Sequence, residues 1–316
     1  MATVAAGNWS ADSELTGFVA KTLTCVPDYD GPVTATLVRK ASLTSRPKGA
    51  ILYIHGFIDY FFQRHVADWF YGDDYNFYGL DLRKYGRSLG KAKHPNICLD
   101  FHEYFEEITA AIDIIVGEGH RSVTLIAHST GALPAALYAK EGLRASAITS
   151  LIFNSPFLAL PYDAPEWLLL WLGQIRPCGA TDNRVNKWYV RSLHCSEKGV
   201  WDFNLKLKPL KGFDAYFGWL RAVVVVQKRI REGLGLTQPV LVMRSDKSLK
   251  GSRWIDEFHR ADLVLDVEDI KRIAPAIGAG VVPEVIPGGK HDLTLSEDTP
   301  RERCLRLMLD WVRTHS

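Results

Sequence analysis

Cysteine is scarce, odd in number and scattered: Cys25, Cys98, Cys178, Cys195 and Cys304 are the five present. No C-x-x-C pair and no histidine at ligand spacing accompanies them. That excludes a disulfide framework or a zinc site as the organising feature, and reduced thiols lead us to expect a cytoplasmic setting. An excess of charge of one sign is also missing, with 38 lysine and arginine residues against 36 aspartate and glutamate. The protein is therefore expected to avoid nucleic acid and to lack a stable membrane anchor, and a neutral or apolar small molecule is the expected partner. The longest apolar runs, LLLWLG (168–173) and AVVVV (222–226), fall short of the roughly 20 residues needed to cross a bilayer. The opening stretch MATVAAGNWSADSELTGF lacks the basic and apolar regions of a secretory signal, so export is not expected. Internal repeats and low-complexity tracts are absent, and nothing in the sequence sets an oligomeric state.

What is present is an alternation. Short β-branched runs, VTATLV (33–38), AILYIHG (50–56), NFYGLDL (76–82), VTLIAHS (123–129), ITSLIFN (148–154), PVLVM (239–243) and VVPEVIPG (281–288), are separated by segments of helical spacing at 100–119, 129–145 and 266–278. Continuous apolar runs of this length read as strands buried on both faces, so the fold expected is α/β, a mostly parallel sheet flanked by helices. A last helix is expected from Thr299 as cap with Pro300 at its first position and Glu302 completing a capping box, burying Cys304, Met308 and Trp311. Between about Pro156 and Gly235 the rhythm stops, no strand is predicted, and Trp167, Trp171, Trp188, Tyr189, Trp201, Tyr216 and Trp219 crowd together. We read this stretch as a helical cap (156–235) inserted into a core made of 1–155 and 236–316.

The stretch LIAHSTGALP (125–134) carries the chemistry. A-H-S-T-G follows a clean strand and opens a helix, which is the strand, turn and helix of a nucleophile elbow with small residues, Ala127 and Gly131, beside Ser129. A serine hydroxyl is a poor nucleophile near neutral pH, so a histidine must take its proton and an acid must orient that histidine, in the chain order serine, acid, histidine. Of the late histidines, His194 and His259 lie too early and His315 is terminal, leaving His291 on the glycine-rich loop after the last strand. Three acids remain open on the residues alone: Asp246 at a strand tip, Asp262, with room for one helix and one strand before His291, and Asp266, which also suits a helix cap. YIHGFIDY (53–60) ends a strand where backbone N–H groups are free, so those of Phe57 and Thr130 are expected to bind an oxyanion. His55 is expected to brace that loop, and Asp81 and Arg87 of LDLRKYGRS (80–88) to fix neighbouring loops. His128, Tyr60, Trp167 and Trp188 are expected to contact substrate.

Together AILYIHGF, GLDLRKYGRS, LIAHSTG, ADLVLD and IPGGKHDL resemble the corresponding blocks of the α/β-hydrolase family, in its monoacylglycerol lipase, lysophospholipase and serine-aminopeptidase-like branch. The resemblance covers roughly 33–155 and 237–315, not the cap. It implies that the first aspartate of ADLVLD, Asp262, is the acid of a serine carboxylic-ester hydrolase that needs no metal or organic cofactor, and the aromatic cap implies an apolar acyl or alcohol group, as in a monoglyceride or lysophospholipid. A lactone, thioester or peptide substrate would use the same machinery, and a hydrolase-like protein that binds without turnover is the reading from another class. The sequence departs from the family pattern at Ala127 and Lys84, where glycine is usual, and in SDKSLKGSRWIDEFHRA (245–261) ahead of the acid.

Overall fold

A computed structural model describes residues 5–161, 164–181 and 187–315. Eight main strands form the sheet: β1 Phe18–Thr24, β2 Thr34–Lys40, β3 Gly49–Ile54, β4 Tyr75–Asp81, β5 Val123–His128, β6 Ile148–Asn154, β7 Val240–Ser245 and β8 Val281–Ile286. They lie in the order β1-β2-β4-β3-β5-β6-β7-β8, with the two-residue strands Ala5–Ala6 and Ser10–Ala11 pairing on β1. The pairs β1·β2 and β2·β4 are antiparallel and every pair from β4·β3 to β7·β8 is parallel. β5 lies in the interior with all six residues buried, which explains its unbroken apolar run.

The described residues form eight α-helices: α1 Arg64–Tyr71, α2 Phe105–Gly117, α3 Ala132–Glu141, α4 Glu166–Ile175, α5 Lys187–Leu193, α6 Phe217–Arg231, α7 Val267–Ile273 and α8 Asp298–His315. On one face Ile108, Ile112 and Ile115 of α2, Leu133 and Leu137 of α3, and Val223, Val226 and Ile230 of α6 join one core cluster. On the other, Val66 and Phe70 of α1 pack with Cys304, Met308 and Val312 of α8. Each such side chain contributes about 1.5–3 kcal/mol by leaving water.

The structure differs from the sequence pattern at two places. Helix α8 begins at Asp298, so Thr299 and Pro300 sit inside its first turn instead of capping it. Proline is tolerated there because the first-turn N–H groups have no intrahelical acceptor. The 156–235 stretch does contain strand: Ala180–Thr181 pairs antiparallel with Ala215–Tyr216, too short to give a sequence pattern. Its α4 and α6 pack together, and α6 shares the core cluster of α2 and α3. Its α5 instead joins a smaller aromatic cluster of Tyr189, Leu193, Phe203, Phe258 and Leu263. No helix among the described residues is long and apolar enough to cross a membrane.

Lys84 keeps a left-handed backbone at φ 65°. Its side chain is buried, with Nζ 2.7 Å from Asp28 Oδ2 and 3.5 Å from Asp30 Oδ2. Removing the ammonium strands a buried carboxylate, which outweighs relief of backbone strain. Lys84→Ala is expected to lower stability by about 3–5 kcal/mol in urea unfolding. Lys84→Gly should be milder by about 1–2 kcal/mol, because only glycine adopts the left-handed turn without penalty.

Candidate active site

The fully buried β5 ends at His128, and the chain turns at once through a 3₁₀ turn, Ser129–Gly131, into α3. Ser129 has φ 53°, a backbone conformation uncommon for a residue with a side chain. It lifts Oγ off the strand's line. The turn needs small neighbours: a Cβ on Gly131 would stand 2.3 Å from the His55 carbonyl oxygen, and one on Gly56 would stand 3.0 Å from Ser129 Cβ. The loop after β3 and the turn after β5 thus press backbone against backbone.

His291, on the loop after β8, reaches this point: its Nε2 lies 2.9 Å from Ser129 Oγ. Its Nδ1 lies 2.9 Å from Asp262 Oδ2. Asp262 Oδ1 accepts from the N–H groups of Val264 and Leu265 at 2.7 and 2.9 Å. All three side chains are buried. The structure therefore brings Ser129, Asp262 and His291 together, and the two other acids fall elsewhere. Asp246 is exposed and accepts from Gly288 N–H at 2.8 Å, while Asp266 caps α7 by accepting from Glu268 N–H at 3.0 Å.

The two buried neighbours of His291, Lys290 and Asp292, hold its loop. Lys290 Nζ donates to the Ser192 carbonyl at 2.7 Å and faces His259 Nδ1 at 3.2 Å. Burial pushes the Lys290 ammonium down to about 8, against a smaller upward pull from Glu297. Asp292 accepts from Asn154 Nδ2 at 2.7 Å and from the Thr294 hydroxyl at 2.7 Å.

A cavity of about 380 Å³ opens over Ser129 and His291. Phe57, Phe157, Val190, Trp219, Leu220 and Val264 give it apolar walls, and His128, Asp59 and Lys208 add polar groups. The N–H of Phe57 has no hydrogen-bond acceptor among the described residues, and Thr130 lies in a first helical turn, where N–H groups are free. His55 braces the loop as expected: its Nε2 accepts from Leu82 N–H at 3.0 Å, and burial keeps its ring below the usual histidine range. Asp81 accepts from the N–H groups of Phe61 and Arg87 at 2.8 and 3.0 Å.

Of the four residues expected to contact substrate, only His128 lines the cavity. The Tyr60 hydroxyl is buried against Asn204, accepting its N–H at 2.8 Å. Trp167 is 69 % exposed, because α4 turns Leu169 and Gly173 inward and leaves Trp167 and Trp171 outside. On α5 it is Tyr189 that faces the cavity, its ring centroid 5.2 Å from that of His291, while Trp188 packs edge-on against Trp254.

Asp59 and Lys208 also line the cavity, and neither stands in a motif that marks it in the sequence. Lys208 Nζ donates to Asp59 Oδ1 at 2.6 Å, and His128 Nδ1 lies 3.4 Å from Asp59 Oδ2. Burial alone would raise the Asp59 carboxyl, but Lys208 and His128 hold it well below the usual carboxylate range. Asp59, His128 and Asp292 bring metal-ligand atoms within 4.8 Å of one another, and the Lys208 ammonium already supplies the positive charge that a cation would bring.

Comparison with known proteins agrees with this architecture. The serine aminopeptidase S33 family model matches residues 45–247. A monoacylglycerol lipase from Paleococcus ferrophilus superposes with a TM-score of 0.68 at 19 % identity, covering 90 % of this chain and 99 % of its own. A soluble variant of monoglyceride lipase from Saccharomyces cerevisiae, in complex with a substrate analogue, gives 0.68 at 16 % identity over 98 % and 95 %. A thermostable carboxyl esterase from Bacillus coagulans, in complex with glycerol, gives 0.68 at 13 % identity over 94 % and 98 %. No curated protein matches the sequence significantly.

Asp262→Asn is expected to lower kcat on an ester by about 10⁴-fold, as loss of an orienting carboxylate does in serine hydrolases. Asp246→Asn should leave kcat close to that of the parent protein. The Lys290 ammonium, depressed on folding, costs stability while charged. Between pH 8 and the unfolded value of 10.5 the unfolded chain binds more protons, so this residue's contribution rises with pH. In urea titrations at pH 7.5 and 9.5, the stability of wild type relative to Lys290→Met should increase at the higher pH.

Matching the model across more than half of its length and folding as an α/β-hydrolase, the chain belongs to the serine aminopeptidase S33 family.

Proposed function

We propose that the protein is a serine carboxylic-ester hydrolase acting through an acyl-enzyme on Ser129. The observation that carries this reading is the run of contacts from Ser129 Oγ through His291 to Asp262 beneath a largely apolar cavity. Ser129 Oγ attacks the acyl carbonyl while His291 Nε2 takes its proton, and Asp262 holds the other ring nitrogen as the N–H tautomer. The N–H groups of Phe57 and Thr130 receive the oxyanion. Collapse of the tetrahedral species expels the alcohol, which takes the proton from His291. Water, deprotonated by the same nitrogen, then attacks the acyl-enzyme, releases the acid and restores Ser129.

The substrate class is an ester with an apolar acyl or alcohol group, such as a monoglyceride or lysophospholipid, handled without metal or organic cofactor. Neighbours named monoacylglycerol lipase, monoglyceride lipase and carboxyl esterase support this choice, as do the cavity's apolar walls. Asp59 is the only carboxylate lining the cavity among the described residues, and it is committed to Lys208. That disfavours capture of a peptide's amino terminus. The 156–235 segment supplies Phe157, Val190, Trp219 and Leu220 to those walls, which fits its reading as a cap that selects the substrate.

A fluorophosphonate should label Ser129, located by mass spectrometry of the modified peptide. Turnover of p-nitrophenyl esters from acetyl to palmitoyl should fall by roughly 10⁶-fold in Ser129→Ala. A folded protein that is neither labelled nor active would overturn the reading in favour of ligand binding without turnover.

A further inference from the structure

We infer that Lys208 is a positioning residue for the oxyanion-binding loop, acting through Asp59 from a distant part of the chain; the catalytic half of this inference rests on the acyl-transfer reading above. The loop needs external support. Ile58, directly after Phe57, has φ 52°, and a β-branched residue in the left-handed region is a genuine outlier. Such a conformation persists only where its surroundings over-determine it.

Both sides of Ile58 are gripped by the 156–235 segment. Before it, the Phe57 ring stacks on Trp219 with centroids 4.0 Å apart and planes at 23°. After it, Asp59 Oδ1 takes the Lys208 ammonium at 2.6 Å and the Tyr60 N–H at 3.0 Å. The Asn204 N–H adds a bond to the Tyr60 hydroxyl at 2.8 Å, and Lys208 N–H returns to the Asn204 carbonyl at 3.0 Å, so residues 204–208 dock on residues 59–60 as one unit. Lys208 is 2 % exposed, between the rings of Phe62, Tyr189 and Phe203 at 5.2–5.9 Å from Nζ. A buried ammonium fixed by one carboxylate and three ring faces has little freedom to follow a moving loop. With Lys208 removed, Asp59 becomes a buried carboxylate without its strongest partner. We expect that carboxylate to turn toward water, rotating the peptides at 57–59 and carrying the Phe57 N–H off its line to the oxyanion.

The test uses the full chain, wild type against Lys208→Met and Lys208→Arg, with hydrogen exchange of residues 56–62 followed by mass spectrometry and with p-nitrophenyl butyrate kinetics. In Lys208→Met we expect exchange in that segment to quicken at least tenfold. We expect kcat to fall by roughly 10–100-fold with KM little changed, since misplacing an oxyanion donor costs on that scale. A boronic acid that forms a tetrahedral adduct on Ser129 should weaken in proportion, and Lys208→Arg should recover part of each effect. Far-ultraviolet circular dichroism matching wild type establishes that the variants are folded, and Lys208→Arg serves as the readable variant where Lys208→Met is not. Unchanged exchange overturns the clamp. Quickened exchange with kcat and boronate affinity intact overturns its role in oxyanion binding, as does a loss confined to KM. If wild type itself neither hydrolyses the ester nor takes up the fluorophosphonate, the acyl-transfer reading fails, while exchange still decides the clamp.

Discussion

The close approach of two backbone segments, the loop after β3 and the turn after β5, is the constraint on which the rest of the site depends. Ser129 stands in a left-handed conformation at the end of a fully buried strand, and the carbonyl of His55 leaves no room for a side chain at Gly131. Parallel pairing of β3 with β5 along Ala50–Ile54 and Val123–Ala127 sets the two segments side by side. The sheet's own hydrogen bonds thereby place Ser129 beside free backbone N–H groups. The histidine and its acid arrive from loops after β8 and β7 at the same edge, since the crevice beyond the strand ends is where an open parallel sheet gathers its functional groups.

The site is also rich in buried charge. Asp59, Lys208, Asp262, Lys290 and Asp292 are all buried, and each has a partner within hydrogen-bonding distance. Buried pairs of this kind contribute little net stability, but breaking one is expensive. They make the local arrangement specific: a shifted loop would strand a charge, so the surroundings penalise alternatives heavily. Hydrophobic burial holds the sheet and helices together, and these charges fix the loops that carry Asp59, Asp262 and His291.

Six of the seven strands that showed in the sequence are mostly buried, so their runs are unbroken, whereas β8, last in the sheet order, buries only Ile286 and showed through its β-branched residues. The edge strand Phe18–Thr24 did not show, because only Phe18 and Leu23 are buried in it and its pattern is weak. Helix α1 escaped notice for a similar reason, having eight residues and three buried ones. Ser129 and His291 stood out because small residues flank one and glycines precede the other. The acid stayed open among three aspartates because the insertion at 245–261 hides which loop folds back. It folds back through the backbone bonds of Leu249 N–H to Asp262 O and Asp262 N–H to Lys247 O. Aromatic residues of the cap were legible as a group but not one by one. Residue type says that a tryptophan prefers burial, whereas helix phase decides whether Trp188 or Tyr189 faces the cavity. Lys208 gave no signal at all, since a lysine reads as a surface residue unless its carboxylate partner, far away in the chain, is known.

The two attachments of the 156–235 segment differ in kind, and the difference bears on how such a protein can diverge. Lys290 holds α5 by a main-chain oxygen, that of Ser192, which any amino acid supplies. The segment's side chains can therefore drift there without loosening the histidine loop, so long as the helix keeps its place. Lys208 and Asp59 grip each other by side chains, and a change in either demands a matching change in the other. Over evolutionary time the first attachment leaves the side chains of α5 free to vary, while the second couples two distant positions that should change only as a pair.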